Sequence, residues 1–131
     1  MNYFQPVALA VIKKKDEYLF TLRVDTYKDL NGKWQIPGGG VDFGETPIEA
    51  LHREVREELG IEVTVLQENP QVKTIMRKNW QGILLCYLCE MKDTTAKIVL
   101  NEEATEWKWM SLEELRAQES IPGCVDMVEK M

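Results

Sequence analysis

The chain has few cysteines, a single histidine and no long apolar run. Its three cysteines, Cys86, Cys89 and Cys124, are odd in number and sparse, which argues for reduced thiols rather than a disulfide framework. It has neither an N-terminal signal-like segment nor a run of about eighteen apolar residues, so secretion and membrane spanning are not expected. The expected location is therefore the cytoplasm.

Basic residues are also in deficit. The 131 residues include 16 Lys and Arg against 22 Asp and Glu, which gives a formal net charge of −6. Long nucleic acids bind mainly to clustered Lys and Arg, so this balance speaks against them and fits a nucleotide-sized ligand better. A polyphosphate would be repelled unless divalent cations bridged it to protein carboxylates. The composition, 44% hydrophobic and 29% charged, predicts one domain over residues 1–131.

The chain does contain a well-marked helix, predicted over residues 47–59. Thr46 and Glu49 form a capping box around Pro47, which suits the first helical position. Gly60 suits the left-handed residue that closes a helix, and the β-branched residues after it favour a strand. Apolar residues recur every three or four positions and predict packing against a sheet. These residues are Ile48, Leu51, Val55 and Leu59.

Three glutamates, Glu54, Glu57 and Glu58, stand at helical spacing and converge on one side of this helix. They lie near the helix C-terminus, where the partial negative charge disfavours carboxylates, and Arg53 neutralises only part of their charge. A hard divalent cation bound by carboxylate oxygens is the natural compensator. The alternative is a solvated acidic face.

A glycine-rich segment, residues 34–41, leads into this helix. Gly38, Gly39 and Gly40 permit close approach of the backbone to a ligand, and a carbonyl there can complete a metal shell. The alternative is a tight turn between strand and helix.

Together these residues resemble the Nudix box, G-x5-E-x7-R-E-U-x-E-E-x-G-U with U aliphatic, over residues 39–61. A chance match is on the order of one in a million. The resemblance implies an α/β fold, the Nudix-type α/β/α sandwich with a mixed β-sheet between helices. It also implies an enzyme that uses Mg²⁺, with Mn²⁺ as the alternative, to hydrolyse a diphosphate linkage in a nucleotide. The matching residues are Gly39, Glu45, Arg53, Glu54, Val55, Glu57, Glu58, Gly60 and Ile61.

The same resemblance implies roles for individual residues. The metal would be held by Glu54, Glu57, Glu58, the Gly38 carbonyl and Glu103. Glu54 and Glu103 are both candidates for the general base that accepts the proton of the attacking water.

Glu103 is chosen because it stands six residues before Trp109, where similar family members carry an additional glutamate beside the site. Glu102 and Glu106 compete with it. Arg53 and Glu45 are expected to brace the loop and helix through charge-assisted hydrogen bonds.

Substrate contacts are expected from Arg23, whose planar fork suits a phosphate, and from Gly38, Gly39 and Gly40. For Arg23 the alternative is an exposed ion pair. Aromatic residues can stack on a base, although Trp34 is expected to serve packing. These residues are Tyr27, Trp34, Trp80 and Trp107.

The rest of the chain predicts strands followed by two more helices. Cys86 and Cys89 resemble half a zinc site, but residues i and i+3 of a strand point to opposite faces, so buried thiols are expected. The helices are expected to begin at Ser111 and after Pro122. The predicted strands cover residues 7–12, 18–23, 62–66, 73–77, 82–90 and 98–100.

The substrate stays open among several nucleotides. The first choice is a nucleoside or deoxynucleoside triphosphate, cleaved to monophosphate and pyrophosphate. Nucleotide sugars, ADP-ribose and dinucleoside polyphosphates are alternatives, and a nucleotide-binding sensor without catalysis is an alternative of another class. Many relatives pair, so a homodimer also stays open.

Overall fold

The computed structural model, which describes all 131 residues, consists of one mixed sheet with helices on both faces. None of its helices has the length and apolar character that crossing a membrane requires. In chain order the elements are β1 (Tyr3–Lys14), β2 (Glu17–Arg23), β3 (Trp34–Gln35), β4 (Gly38–Gly40), α1 (Pro47–Leu59), β5 (Val63–Val65), β6 (Gln71–Arg77), β7 (Trp80–Met91), β8 (Ala104–Met110), α2 (Leu112–Arg116) and α3 (Cys124–Glu129).

The two longest strands, β1 and β7, lie at the centre of the sheet. They run parallel, paired from Tyr3 with Trp80 to Ile12 with Cys89, whereas the other strand pairs are antiparallel. The strand order is β3-β2-β1-β7-β5, and β4 pairs with β1, β6 with β7 and β8 with β2. Parallel strands need cover on both faces, which accounts for the apolar character of the central pair.

Each face of the sheet packs against helix. On one face Leu51, Val55 and Leu59 of α1 are fully buried against apolar side chains of the central strands. On the other, Leu115 of α2 and Met127 of α3 are buried in a second core. The predicted α/β/α sandwich is therefore confirmed.

Helix α1 has the predicted bounds, because both of its ends are specified locally. The Thr46 hydroxyl accepts the Glu49 N–H at 3.1 Å, and the Glu49 carboxylate accepts the Thr46 N–H at 2.9 Å. Gly60 closes the helix at φ 65°, a left-handed angle that favours glycine.

One predicted strand is wrong, and three strands were missed, namely β3, β4 and β8. Residues 98–100 form no strand. Ile98 and Leu100 instead pack against the α1 core, and the Val99 N–H bonds to the Leu59 carbonyl at 2.9 Å. Their alternating pattern reflects contact with the end of a helix rather than strand pairing.

The longest of the missed strands is β8, which pairs with β2 and is largely exposed. The alternation of Trp107 and Trp109 with Glu106 and Lys108 is the period-2 signal that marks it in the sequence.

The glycine-rich segment also contains regular structure. Gly38–Gly40, expected only as an approach to the helix, form β4 and pair with β1 from Val7 to Leu9.

The three thiols are buried and unpaired. Cys86 lies in the core of the α2/α3 face and Cys89 in the core of the α1 face, so β7 separates the two side chains as the strand period requires. The prediction of buried thiols on opposite faces of the strand is confirmed.

We expect Leu51→Ala to lower the free energy of unfolding by about 2–5 kcal/mol, because it removes a fully buried side chain between α1 and the sheet. Urea denaturation monitored by circular dichroism measures this. Leu66→Ala is the matched control, since Leu66 is 46% exposed and its backbone N–H bonds to the Leu88 carbonyl of β7. Equal losses for the two variants would contradict the packing described here.

Candidate active site

Three carboxylates from two separate parts of the chain come together beside β4. Single oxygens of Glu54, Glu58 and Glu103 all lie within 4.8 Å of one another. Glu54 and Glu58 are one helical turn apart on α1, and Glu103 comes from the turn that precedes β8. Such a group is small enough for one cation to contact all three side chains.

Glu103 is held in place by its backbone. Its N–H donates to the Asn101 side-chain oxygen at 3.0 Å, and its carbonyl accepts the Val24 N–H at 2.9 Å. This turn aims Glu103 at α1. The competing glutamates Glu102 and Glu106 are exposed and lie outside the carboxylate group.

Glu58 is the most buried of the three, with 8% of its surface exposed. The pKa of Glu58 is raised to about 9, mainly by burial and also by the negative charges of Glu54 and Glu103, against the opposing effect of a 2.9 Å hydrogen bond from the Gly38 N–H. Burial also raises the pKa of Glu54, although Arg53 opposes the shift. No cationic side chain contacts Glu58, so the group lacks positive charge where it is most buried.

Arg53 ties α1 to the loop and strand before it. Its Nε and Nη2 donate to the two oxygens of Glu45 at 2.7 and 2.9 Å, and Nη2 also donates to the Gly40 carbonyl at 3.0 Å. Nη1 donates to Glu54 at 2.9 Å. The bond from Arg53, followed by one from the Asp42 N–H, lowers the pKa of Glu45 to about 2. The Arg53 guanidinium therefore holds the loop, strand and helix together through charge-assisted hydrogen bonds, as expected.

Glu57 lies beside the carboxylate group rather than within it. Its side chain is 55% exposed and contacts Arg53 Nη1 at 3.4 Å. Since Arg53 Nη1 also contacts Glu54, the two carboxylates are close, and Glu57 stays a predicted ligand.

The glycines of β4 make this packing possible. A Cβ atom on Gly39 would stand 2.6–2.7 Å from the Glu54 carboxylate, and one on Gly40 would collide with the side-chain amide of Gln5. Glu54 and Gln5 therefore approach β4 at successive residues, which face opposite sides of a strand. Any larger residue at either position would displace one of them.

Two cavities, each of about 210 Å³, adjoin at β4. They share Arg23, Gln35 and the three glycines. The acidic cavity adds Val24, Glu54, Glu58 and Glu103. The apolar cavity extends across the opposite face of the sheet toward α3 and adds Gln5, Val7, Leu9, Ile36, Ile75, Arg77, Trp80, Leu84, Ile121, Pro122, Gly123, Cys124 and Met127.

Arg23 lines both cavities and is held by its neighbours. Its Nε and Nη2 contact Asp25 at 2.8 and 2.7 Å, and its Nη1 donates to the Gln35 side chain at 3.1 Å. The guanidinium is thus oriented at the boundary between carboxylates and apolar surface.

Sequence reasoning missed Gln5 and Arg77 as site residues. Both lie on strands, and neither has a local motif. Their membership follows only from the register of β1, β6 and β7, which brings alternate residues of three strands to one face. Of the aromatic candidates for base stacking, Trp80 lines the apolar cavity, whereas Trp34 packs against the α2/α3 core, in line with its expected role.

The carboxylate group suits a hard divalent cation. Its donors are all carboxylate oxygens, with no thiol or imidazole among them, which favours Mg²⁺ or Mn²⁺ over softer metals.

Comparison with known proteins places this architecture in a family. A family model described as the NUDIX domain matches residues 3–127. The nucleoside triphosphatase NudI of Salmonella heidelberg (strain SL476) is 32% identical over 117 residues, covering 83% of this chain and 83% of that protein. An RNA pyrophosphohydrolase of Helicobacter pylori (strain G27) is 44% identical over 71 residues, which cover 52% of this chain but 45% of the relative. The chain thus spans less than half of that protein.

Solved structures give the same result for the fold. The MutT NUDIX hydrolase of Burkholderia pseudomallei superposes with a TM-score of 0.82 at 21% identity, covering 99% of both chains. The MutT protein of Methanosarcina mazei Go1 gives 0.80 at 27% identity, covering 98% of this chain and 93% of that one. The family model spans nearly the whole chain, and on that evidence the protein belongs to the Nudix hydrolase family.

Proposed function

We propose that this protein hydrolyses a diphosphate linkage in a nucleotide with the aid of Mg²⁺, Mn²⁺ being the alternative. The preferred substrate is a nucleoside or deoxynucleoside triphosphate, cleaved to monophosphate and pyrophosphate. The observation that carries the proposal is that three carboxylate oxygens lie within 4.8 Å of one another. The glycine strand β4 separates them from the apolar cavity.

The cation would be held by Glu54, Glu58 and Glu103, whose oxygens converge without it. Glu57 and the Gly38 carbonyl are the further proposed ligands, because Gly38 lines the acidic cavity and Glu57 is exposed beside Glu54. When bound, the metal polarises the phosphoryl oxygens and lowers the pKa of the attacking water.

The residues of the chain would do the rest of the work. A carboxylate oxygen of Glu54 or Glu103 accepts the proton of the attacking water, and both candidates remain in place within the group. Arg53 holds α1 and the Glu54 side chain in register with β4. Arg23, oriented by Asp25 and Gln35, is placed to contact a phosphate that crosses from the acidic cavity to the apolar one.

The names of relatives support a nucleotide substrate but differ in which one. NudI of Salmonella heidelberg is named a nucleoside triphosphatase, and the Helicobacter pylori relative is named an RNA pyrophosphohydrolase. We favour the small nucleotide, because the net charge of −6 disfavours binding to a long RNA. Nucleotide sugars, ADP-ribose, dinucleoside polyphosphates and a short 5′-triphosphorylated RNA belong in the same assay panel, and binding without turnover would favour the sensor alternative.

We expect Glu54→Gln, Glu58→Gln and Glu103→Gln each to lower kcat/KM by about 100-fold or more, because each loses an anionic ligand or a base. Glu57→Gln should also lose most of its turnover. The assay is magnesium-dependent release of pyrophosphate from a nucleotide panel, with and without chelator.

Glu102→Gln is the matched control, since Glu102 is adjacent to Glu103 but outside the carboxylate group. Full magnesium-dependent activity in both Glu54→Gln and Glu58→Gln would overturn the proposal.

We also expect the metal-free protein to lose stability as pH rises. The pKa of Glu58 is about 9 in the folded state against an ordinary value of 4.5, so unfolding releases a proton between these values. The stability linked to this group is fully present below about pH 4.5 and is lost as pH rises toward 9. Melting temperatures in EDTA from pH 6 to pH 9 should therefore fall.

Glu58→Gln should flatten that slope, and magnesium should reverse it in the wild type, because the cation stabilises the ionised carboxylates. An identical slope in the wild type and Glu58→Gln would contradict this account of the buried carboxylate.

A further inference from the structure

One wall of the apolar cavity is built on β1, β6 and β7. Gln5, Gly82 and Ile75 lie side by side on β1, β7 and β6, flanked by the row that contains Trp80 and Arg77. A Cβ atom on Gly82 would collide with the Trp80 ring, so that ring lies against the bare backbone of Gly82. Trp80, Arg77 and Gln5 line this side of the apolar cavity.

Arg77 is a half-buried cation without an anionic partner. Its guanidinium lies over the Trp80 ring, 4.9 Å from the ring centre, and no carboxylate stands within ion-pair distance of it. Burial and the nearby charge of Arg23 lower the pKa of Arg77. Because an arginine has five donor hydrogens and no acceptor, this residue presents unused donors to the cavity.

Gln5 also presents donors there. Trp80 Nε1–H, which can only donate, bonds to the Gln5 side-chain oxygen at 3.1 Å and so fixes the orientation of the amide. The NH₂ group of Gln5 is consequently the part that approaches Gly40 at the cavity wall.

The other polar side chains of the cavity are engaged with neighbours or are weak partners. The Gln35 oxygen accepts from Arg23, and its nitrogen donates to Thr21 at 3.3 Å. Burial raises the pKa of Cys124 to about 12, so this group is a thiol, which is a weak donor and a weak acceptor. The strongest unengaged side-chain groups are therefore the donors of Arg77 and Gln5.

We propose that Arg77 and Gln5 select the base of the substrate, and that the cavity accepts bases with a carbonyl oxygen at purine C6 or pyrimidine C4, namely guanine and uracil or thymine. Adenine and cytosine present an amino group at the corresponding position and would set donor against donor. This inference rests on the proposed nucleotide hydrolysis and names the class of base for the same site.

The test compares kcat/KM for GTP, UTP, ATP and CTP in the wild type and two variants. The wild type should favour GTP and UTP over ATP and CTP by about tenfold or more. Arg77→Met, which keeps the unbranched stem but removes the donors, should reduce that ratio toward one. Gln5→Glu replaces the NH₂ donor by an acceptor while still accepting from Trp80, so it should move the preference toward ATP and CTP.

Arg56→Met is the matched control, because Arg56 is an exposed arginine on α1 paired with Glu62. It should leave the ratio unchanged. A wild type without base preference would overturn the inference, and so would variants that lose the same factor on all four substrates, as expected of a phosphate contact.

A second readout separates this inference from the proposed activity. Calorimetry in EDTA should show GMP binding more tightly than AMP to the wild type, with the difference lost in Arg77→Met. If no nucleotide is hydrolysed, the proposed function fails and the calorimetry alone decides the base preference. Equal binding of GMP and AMP would overturn it.

Discussion

The site depends on the Arg53 guanidinium, which joins three pieces of the chain. It bonds to the backbone of β4 through Gly40, to the loop through Glu45 and to its own helix through Glu54. A lysine would offer one charged point in place of this planar fork and could not hold all three. With α1 fixed against β4, the buried Glu58 reaches the Gly38 N–H and the carboxylates are forced together. Their mutual repulsion follows from that constraint, and its relief would favour binding of the proposed cation.

The strand next to Arg53 divides the chemistry of the site. Because Gly39 and Gly40 carry no side chains, an acidic group and a polar wall can approach the same backbone from its two sides. In the proposed function, a phosphate chain would cross only this strand to pass from the carboxylates to the apolar cavity. The glycines form the strand β4 rather than a turn because their pairing with β1 fixes the backbone. Glu54 and Gln5 can both approach this backbone because it carries no side chains.

Features specified by neighbouring residues could be predicted from the sequence, and those specified by pairing could not. The bounds of α1 follow from its capping box and Gly60, and the converging glutamates follow from helical spacing. The pattern of Ile98 and Leu100 is the same whether these side chains meet a helix or a sheet, so it predicted a strand that does not form. Glu103 was found only through resemblance to a family, since its position depends on the Asn101 turn and on Val24.

Arg77 illustrates the limit most sharply, and it also shows how an acidic protein can receive an anionic substrate. On its own strand it reads as one more charged residue at an exposed end. Only the pairing of β6 with β7 brings it over Trp80 and near Arg23, on the apolar side of the glycine strand. The overall charge of −6 thus coexists with two guanidinium groups that line the apolar cavity, while the carboxylate group lies beyond β4. In the proposed function, these separated charges would act on different parts of one ligand, the metal-bound phosphates on one side and the base on the other.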